Sequence, residues 1–179
     1  LLGPLDWDET SVNGRGELVL PSGTVTLLLA DVEGSTRGWE ERAQEMTGAL
    51  QALGEIVDAT LGWHQGARPV EQGEGDSFVA AFSRASDAVA SALEIQRQLT
   101  RNSLRLRMGV HTGEVQLRDE GNYVGPALNR TARLRDAAHG GQAALSQATC
   151  ELVRDRLPDG AALRALGVHR LKDLGRPEH

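Results

Sequence analysis

The sequence predicts an α+β fold in which helices pack on a mostly antiparallel sheet, and three observations support this class. An apolar run at 25–29 is typical of a strand that is buried on both faces. Apolar residues recur at helical spacing over 36–61 and again over 85–99. Short alternating segments with turn residues separate these helices. The order strand, helix, strand, strand, helix, strand matches a ferredoxin-like βαββαβ core, which C-terminal β/α elements extend.

The first predicted strand ends at a carboxylate and turns directly into a helix. Apolar side chains on both faces indicate a central strand, and Asp31 stands at its end. Gly34, Ser35 and Thr36 then lead into a helix over about 36–61. The first turn of a helix offers unpaired backbone N–H groups and a positive dipole end to an anion. The segment therefore indicates a metal–phosphate site, and a strand end with a solvated Asp31 is the alternative.

Amphipathic spacing predicts which residues of the two long helices are buried. The first helix should bury a stripe that consists of Trp39, Met46, Leu50, Leu53, Val57 and Leu61. The second, capped near Ser83, should bury Ala85, Ala88, Val89, Ala92, Ile95 and Leu99. Between the helices, residues 69–72 and 77–82 predict a β-hairpin whose turn carries a second carboxylate, Asp76.

A strand is predicted at 104–110, where clean alternation places Arg105 and Arg107 outward. A turn at 111–113, a partner strand at 114–118 and a polar loop at 119–124 should follow. We expect His111 to be a hydrogen-bonded structural residue, because no second histidine stands at metal-ligand spacing.

Pro126 predicts the start of the next helix, which should run to about 138. Asn129 and Arg133 are four residues apart and share one face of this helix. A separate inward stripe consists of Ala127, Thr131, Leu134 and Ala138. A strand at 143–145, a helix at 147–157 capped by Ser146, and a strand at 162–171 complete the predicted elements.

Composition excludes several functional classes. A net charge of −6 argues against a nucleic-acid surface, and no apolar run approaches the length that crosses a bilayer. A single cysteine, Cys150, fits a reducing compartment, so we expect a cytoplasmic protein. Lys172 is the only lysine and does not lie beside a Gly-rich turn, which excludes a P-loop ATPase. Residues 1–22 are predicted to form a flexible tail, and residues 23–179 one domain.

Four sequence blocks occur in a characteristic order: DVEGST at 31–36, GEGDSF at 73–78, GVHTGE at 109–114 and YVGPALNRTAR at 123–133. Together they resemble the catalytic domain of class III nucleotidyl cyclases, and their sequences are most similar to those of bacterial domains that are fused to LuxR-type regulators. The resemblance covers roughly residues 23–175. It implies an adenylyl cyclase that converts ATP to 3′,5′-cyclic AMP and pyrophosphate. It also places a last edge strand of the sheet beyond His179.

The resemblance implies that Asp31 and Asp76 hold two divalent metal ions, Mg²⁺ or Mn²⁺, with help from the carbonyl of Val32. The predicted fold supports this independently, because it places the first strand beside the hairpin and lets both carboxylates reach one point. Such ions can activate a 3′-hydroxyl and clamp the α-phosphate. Glu33 is left out of this ligand set, because it points the other way at the strand end. Gly34, Ser35 and Thr36 would cradle the triphosphate.

The remaining site residues are also carried over by resemblance. Asn129 would orient the ribose, and Arg133 would neutralise charge that develops on the α-phosphate. Lys172, within the sequence LKDLG at 171–175, would contact the outer phosphates. A solvated helix face and a solvated lysine are the alternatives for these positions.

Two positions depart from the family pattern for purine recognition. The family has a lysine and an aspartate where this chain has Gln72 and Asn122. A lysine only donates and an aspartate only accepts hydrogen bonds, whereas each amide does both and can flip. We therefore predict a preference for ATP with some use of GTP.

In this family one active site draws its metal acids and its Asn/Arg pair from different chains, so the resemblance implies a head-to-tail homodimer. Two other functions stay open. A non-catalytic nucleotide-binding or regulatory module would keep the fold without the reaction. A GGDEF-type diguanylate cyclase has a similar Gly-rich turn, but that motif needs adjacent acids and Ser77 occupies the second place.

Overall fold

The computed structural model describes residues 19–70, 75–100, 102–119, 121–172 and 174–178. The predicted tail up to position 18 and Gln72 lie outside the described residues. The elements, in chain order, are β1 Thr24–Val32, α1 Ser35–Trp63, β2 Ser77–Phe82, α2 Ala85–Leu99, β3 Leu106–Glu114, β4 Gln116–Asp119, β5 Asn122–Val124, α3 Pro126–Ala137, β6 Gln142–Leu145 and α4 Gln147–Val153.

The main sheet has the strand order β2-β1-β3-β6, with β1 antiparallel to both of its neighbours and β3 parallel to β6. The short strands β4 and β5 form a separate antiparallel pair. The predicted α+β class with a mostly antiparallel sheet is therefore confirmed.

Strand β1 is buried on both faces, as its sequence predicts. Leu28, Ala30 and Val32 pack with apolar residues of α1 and α2 on one face of the sheet. Val25, Leu27 and Leu29 pack with residues of β5 and α3 on the other. Because both faces are covered, the charged end of β1 is the place where this strand meets polar surroundings.

The predicted helical core is correct except at Trp39, which is exposed, and at Leu50, which is only partly buried. The six apolar residues of α2 and the four-residue stripe of α3 are buried, and so are Met46, Leu53, Val57 and Leu61 of α1. Trp39 is 43% exposed. Arg42 has non-helical dihedral angles (φ −147°, ψ 48°), which break the 3.6-residue phase between Trp39 and the rest of α1. The cap of α2 is Arg84 rather than Ser83, whereas Ser146 caps α4 as predicted.

The predicted turn at 111–113 is wrong, because β3 continues through these residues to Glu114. Gly113 and Glu114 pair with Val25 and Thr24 of β1, which extends the ladder. The hairpin lies further on, and β5 occupies the second half of the predicted polar loop. Tyr123 explains this, since it is only 1% exposed and its hydroxyl donates to the carbonyl of Pro21 at 2.6 Å.

Two other predicted strands are not formed as expected. Among the described residues between α1 and β2, only Ala67 pairs with β2, through a single bridge to Ala81. Val70, from the predicted hairpin segment, donates its N–H to the carbonyl of Gly121. The predicted strand at 162–171 is reduced to one bridge between His169 and Glu178. Helix α4 also ends at Val153, earlier than predicted. Among the residues that the structure describes, no helix is both long and apolar enough to cross a bilayer.

Candidate active site

The ends of β1 and β2 bring Asp31 and Asp76 side by side. Asp31 pairs with Ser77 across the ladder, and the N–H of Val32 donates to the carbonyl of Asp76 at 2.9 Å. The side chain of Asp31 is 16% exposed, and Asp76 is half-buried. The backbones of Asp31 and Asp76 are therefore neighbours at one end of the β1–β2 ladder, where the side chain of Asp31 contacts Arg107 and Arg135 and Asp76 lines a small cavity against α1.

Asp31 forms a bidentate ion pair with Arg107 of the adjacent strand β3. Arg107 donates from Nε to Oδ1 at 2.9 Å and from Nη2 to Oδ2 at 2.6 Å. This hydrogen bonding raises the pKa of Arg107 against the opposing effect of burial. Arg135 of α3 adds a second cation, with its Nε 3.5 Å from Oδ2 of Asp31. Arg107 lies on the face of β3 opposite Leu106 and Met108, as predicted, but this face is partly covered by α3 and the side chain is 32% exposed.

The turn between β1 and α1 depends on Gly34. Gly34 has a φ of 69°, in the left-handed region that favours glycine, and its carbonyl accepts the N–H of Gly38 at 3.0 Å. The N-cap residue of α1, Gly34, has no side chain with which to cap the helix, and in the first turn Ser35 is half-buried and Thr36 is exposed. Glu33 is directed elsewhere, since its Oε1 accepts the N–H of Gly140 at 2.9 Å.

Helix α3 carries Asn129 and Arg133 on the face away from the sheet. Asn129 is exposed, and the side chain of Arg133 is 33% exposed and lies 3.5 Å from Asp136. At about 100° per residue, both positions lie on the side opposite the buried Ala127 and Leu134. Arg135 lies on the flank that reaches Asp31 of the same chain, so the structure separates these three polar positions around the helix.

The other predicted substrate residues are dispersed. Asn122 lies in β5 and is only 4% exposed. Lys172 follows the buried Leu171 and is itself exposed. Gln72 lies outside the described residues, so its position relative to Asn122 stays a prediction.

A buried polar network below α3 is the main feature that the sequence did not indicate. His111 Nδ1 lies 2.8 Å from the hydroxyl of Ser146, which lies 3.1 Å from that of Thr149. Thr149 connects in turn to Thr112 and Thr26, at 3.1 and 2.9 Å. Burial, and then the charge of Arg130, lower the pKa of His111 to about 4. The structural role predicted for His111 is thus confirmed.

A groove of about 670 Å³ lies away from the carboxylates, between α1, α2 and Pro158. It contains none of the predicted site residues. A cavity of about 40 Å³ lies beside Asp76 and is lined by α1 and the start of β2. Within the described ranges, no three His, Cys, Asp or Glu side chains converge as a metal cluster, so the predicted set rests on two carboxylates and a backbone carbonyl.

Comparison with known proteins matches this arrangement of fold and motifs. The family described as "Adenylate and Guanylate cyclase catalytic domain" matches residues 19–176. An uncharacterized protein of Mycobacterium tuberculosis is 58% identical over 158 residues, which cover 88% of this chain and 55% of that protein. The adenylate cyclase of Lachancea kluyveri is 30% identical over 164 residues, covering 75% of this chain and 9% of the relative.

Among solved structures, an adenylate cyclase from Trypanosoma brucei in its monomeric state superposes with a TM-score of 0.78. It is 22% identical, and the match covers 88% of each chain, which supports the fold. The chain belongs to the adenylate and guanylate cyclase catalytic domain family, the class III cyclases. It spans about half the length of the mycobacterial relative.

Proposed function

We propose that this domain is a nucleotidyl cyclase that converts ATP to 3′,5′-cyclic AMP and pyrophosphate, with some use of GTP. The observation that carries the proposal is the adjacent backbone position of Asp31 and Asp76 at the end of the β1–β2 ladder, beside the start of α1. Family membership supports the reaction class, and a yeast relative is named an adenylate cyclase.

Asp31, Asp76 and the carbonyl of Val32 would hold two divalent ions, Mg²⁺ or Mn²⁺. Their oxygen atoms suit these hard cations, which supply activation of the 3′-hydroxyl and neutralisation of phosphate charge. The carboxylate of Asp31 is 16% exposed at the strand end, which leaves it accessible to an ion, whereas Arg107 and Arg135 partly neutralise its charge. Because each carboxylate oxygen has two lone pairs, an oxygen of Asp31 can bind an ion while it still accepts a hydrogen bond from Arg107.

The phosphate chain would lie over the start of α1. The backbone N–H groups that follow Gly34, together with Ser35 and Thr36, can donate to phosphate oxygens there. Lys172 would hold the outer phosphates, and its exposure leaves the ammonium group accessible.

A partner chain would supply Asn129 and Arg133. Their outward position on α3 supports a shared site, because the same helix turns Arg135 toward its own Asp31. In a head-to-tail homodimer, Asn129 would orient the ribose and Arg133 would stabilise charge on the α-phosphate.

Gln72 and Asn122 would read the purine. Because each amide carries both a donor and an acceptor, either base can be matched by flipping the amides. The expected kcat/KM preference for ATP over GTP is modest. A preference above about 10⁴, which a site with fixed donors and acceptors can achieve, would contradict this role for the pair.

A non-catalytic nucleotide-binding module is the second candidate, which the departures at Gln72 and Asn122 favour. For the whole protein, we propose a cytoplasmic chain in which residues 1–22 form a tail and residues 23–179 the cyclase domain. A LuxR-type regulator attached to that domain is part of the same proposal.

Product analysis tests the reaction. The purified chain is incubated with ATP or GTP and with Mg²⁺ or Mn²⁺, and products are identified by mass spectrometry. We expect cyclic AMP as the main product, cyclic GMP as a minor one, and a loss of about 10²-fold or more in rate for Asp76→Asn. Asp58→Asn, which alters an exposed acid paired with Arg68, is the matched control and should retain activity.

Three outcomes would contradict the proposal. Nucleotide binding without any product would favour the non-catalytic module. Cyclic di-GMP would indicate a diguanylate cyclase. Full activity of Asp76→Asn would remove the metal role of Asp76.

A further inference from the structure

Glu178 is a buried carboxylate near the C-terminus, and both of its oxygens are engaged. It is 7% exposed, which is rare for glutamate unless the charge is paired. Oε1 accepts the N–H of Gln147, at the start of α4, at 2.8 Å. Oε2 pairs with Arg130 of α3. One side chain therefore joins the end of the chain to two separate helices.

The backbone of Glu178 forms a second connection, which encloses Lys172. The N–H of His169 donates to the carbonyl of Glu178 at 2.7 Å, and the N–H of Glu178 donates to the carbonyl of His169 at 2.8 Å. Lys172 lies between these bridge partners, directly after the buried Leu171. The bridge thus closes the base of the loop that contains the exposed lysine, and the side chain of Glu178 connects this base to α3 and α4.

Arg130 links this anchor to the helix that carries the proposed catalytic pair. It immediately precedes the buried Thr131 and follows Asn129, and its side chain is 25% exposed. His111 nearby does not compete for Glu178 as a cation at neutral pH, because burial and Arg130 lower its pKa to about 4. Charge-assisted hydrogen bonds to a buried carboxylate are strong and directional, so this pair fixes geometry.

We propose that Glu178 is a positioning residue that fixes the Lys172 loop against α3 and α4, and so sets where the lysine meets the outer phosphates. The inference rests on the proposed function for its substrate. A role through Lys172 predicts that Glu178 acts mainly on nucleotide binding. It also predicts that the effect disappears when Lys172 is absent.

A double-mutant cycle tests this coupling. We expect Glu178→Gln to raise KM for ATP about tenfold with kcat changed less than about threefold, and Lys172→Ala to raise KM at least as much. The double variant should have the KM of Lys172→Ala, since the two residues act as a unit. Independent, multiplicative increases in KM would overturn the proposal. Glu94→Gln, which removes a partner of His64 on α2, is the control and should leave KM unchanged.

Hydrogen exchange gives a readout that does not depend on turnover. In Glu178→Gln, the amides of His169, Glu178 and Gln147 should exchange at least tenfold faster, whereas those of α2 should not change. Unchanged exchange at these three amides would overturn the anchor even if the enzyme is active. A wild-type chain without cyclase activity would contradict the proposed function, while the exchange data would still decide the anchor. If Glu178→Gln does not fold, Arg130→Gln breaks the same pair from α3 and should give the same exchange pattern.

Discussion

His111 stays neutral in the folded protein at ordinary pH, because burial and the charge of Arg130 lower its pKa to about 4. In the unfolded chain its pKa should be near 6.5. Between these values the unfolded state binds more protons than the folded state. The free energy of unfolding therefore falls as the pH drops from about 6.5 to 4, and this contribution is absent above that window. Glu178, which faces the same cluster, partly opposes the effect.

We predict that His111→Asn makes the stability less sensitive to acid. The amide keeps a polar contact toward Ser146 but cannot take up a proton. The slope of unfolding free energy against pH should decrease by up to about 1.4 kcal/mol per pH unit within the window. Urea denaturation at several pH values between 7 and 4 measures this slope. His139→Asn, at an exposed histidine, should keep the wild-type slope, and an unchanged slope in His111→Asn would refute the assignment.

The burial of individual residues on β3 could be predicted from the sequence on one face of the strand but not on the face that carries the ion pair of Arg107 with Asp31. The alternation over 104–110 correctly predicts that Leu106, Met108 and Val110 are buried together. It gives no sign that the intervening positions are covered as well, because α3 packs there against a glycine and polar residues rather than an apolar stripe. The ion pair of Asp31 with Arg107 was therefore not predicted, although the adjacent β1 is apolar on both faces and implies a second covered face.

At the scale of elements, α3 approaches the sheet closely at Gly109 of β3. A methyl group added there would lie 2.5 Å from the backbone nitrogen of Arg135 and closer still to the carbonyl of Thr131. Both are backbone atoms, so a side chain could be accommodated only by moving the helix. The absence of a side chain at Gly109 thus determines how closely α3, which carries Asn129 and Arg133, can pack on the sheet.

We predict that Gly109→Ala destabilises the domain by about 1–3 kcal/mol, the usual cost of overpacking, and also lowers cyclase activity. Chemical denaturation and the product assay measure the two effects. Gly48→Ala is the matched control: it lies on α1 with open space around it and should be neutral or slightly stabilising. Wild-type stability in Gly109→Ala would show that α3 can shift without cost.

Elements with a strong period were predictable, and short elements that depend on distant contacts were not. Helices α2 and α3 follow their apolar spacing, and Gly125 with Pro126 marks the start of α3. Strand β5 has three residues, and its position depends on Tyr123 reaching Pro21. The non-helical Arg42 likewise leaves no local sequence signal that would have predicted the exposure of Trp39.

At the scale of the whole molecule, the two halves of the proposed site lie on different surfaces of one chain. Asp31 and Asp76 lie at the strand ends, whereas Asn129 and Arg133 lie on the outer face of α3. Motif order identified these residues, but only the three-dimensional structure shows which of them are neighbours within a chain. In the proposed function, a complete site would therefore combine two chains that are arranged head to tail.

We predict that two inactive variants restore activity when they form mixed dimers. In a dimer of Asp31→Ala and Arg133→Ala chains, one of the two sites keeps both metal acids and the arginine. Because one of the two sites in each mixed dimer is complete, the purified mixed dimers should show about half of the wild-type activity per dimer. Differently tagged chains are unfolded, refolded together and purified through both tags, and the product assay is then repeated on the mixed dimers.

A second mixture distinguishes a shared site from simple stabilisation by a partner. Asp31→Ala and Asp76→Ala alter the same half of the site, so a mixed dimer of these chains contains no intact pair of acids. It should remain inactive while forming dimers equally well. Activity in this mixture would show that one active site can use Asp31 from one subunit and Asp76 from the other. Inactivity of verified dimers of Asp31→Ala with Arg133→Ala would place each complete site within one chain, and α3 would then have to turn its outer face toward its own β1.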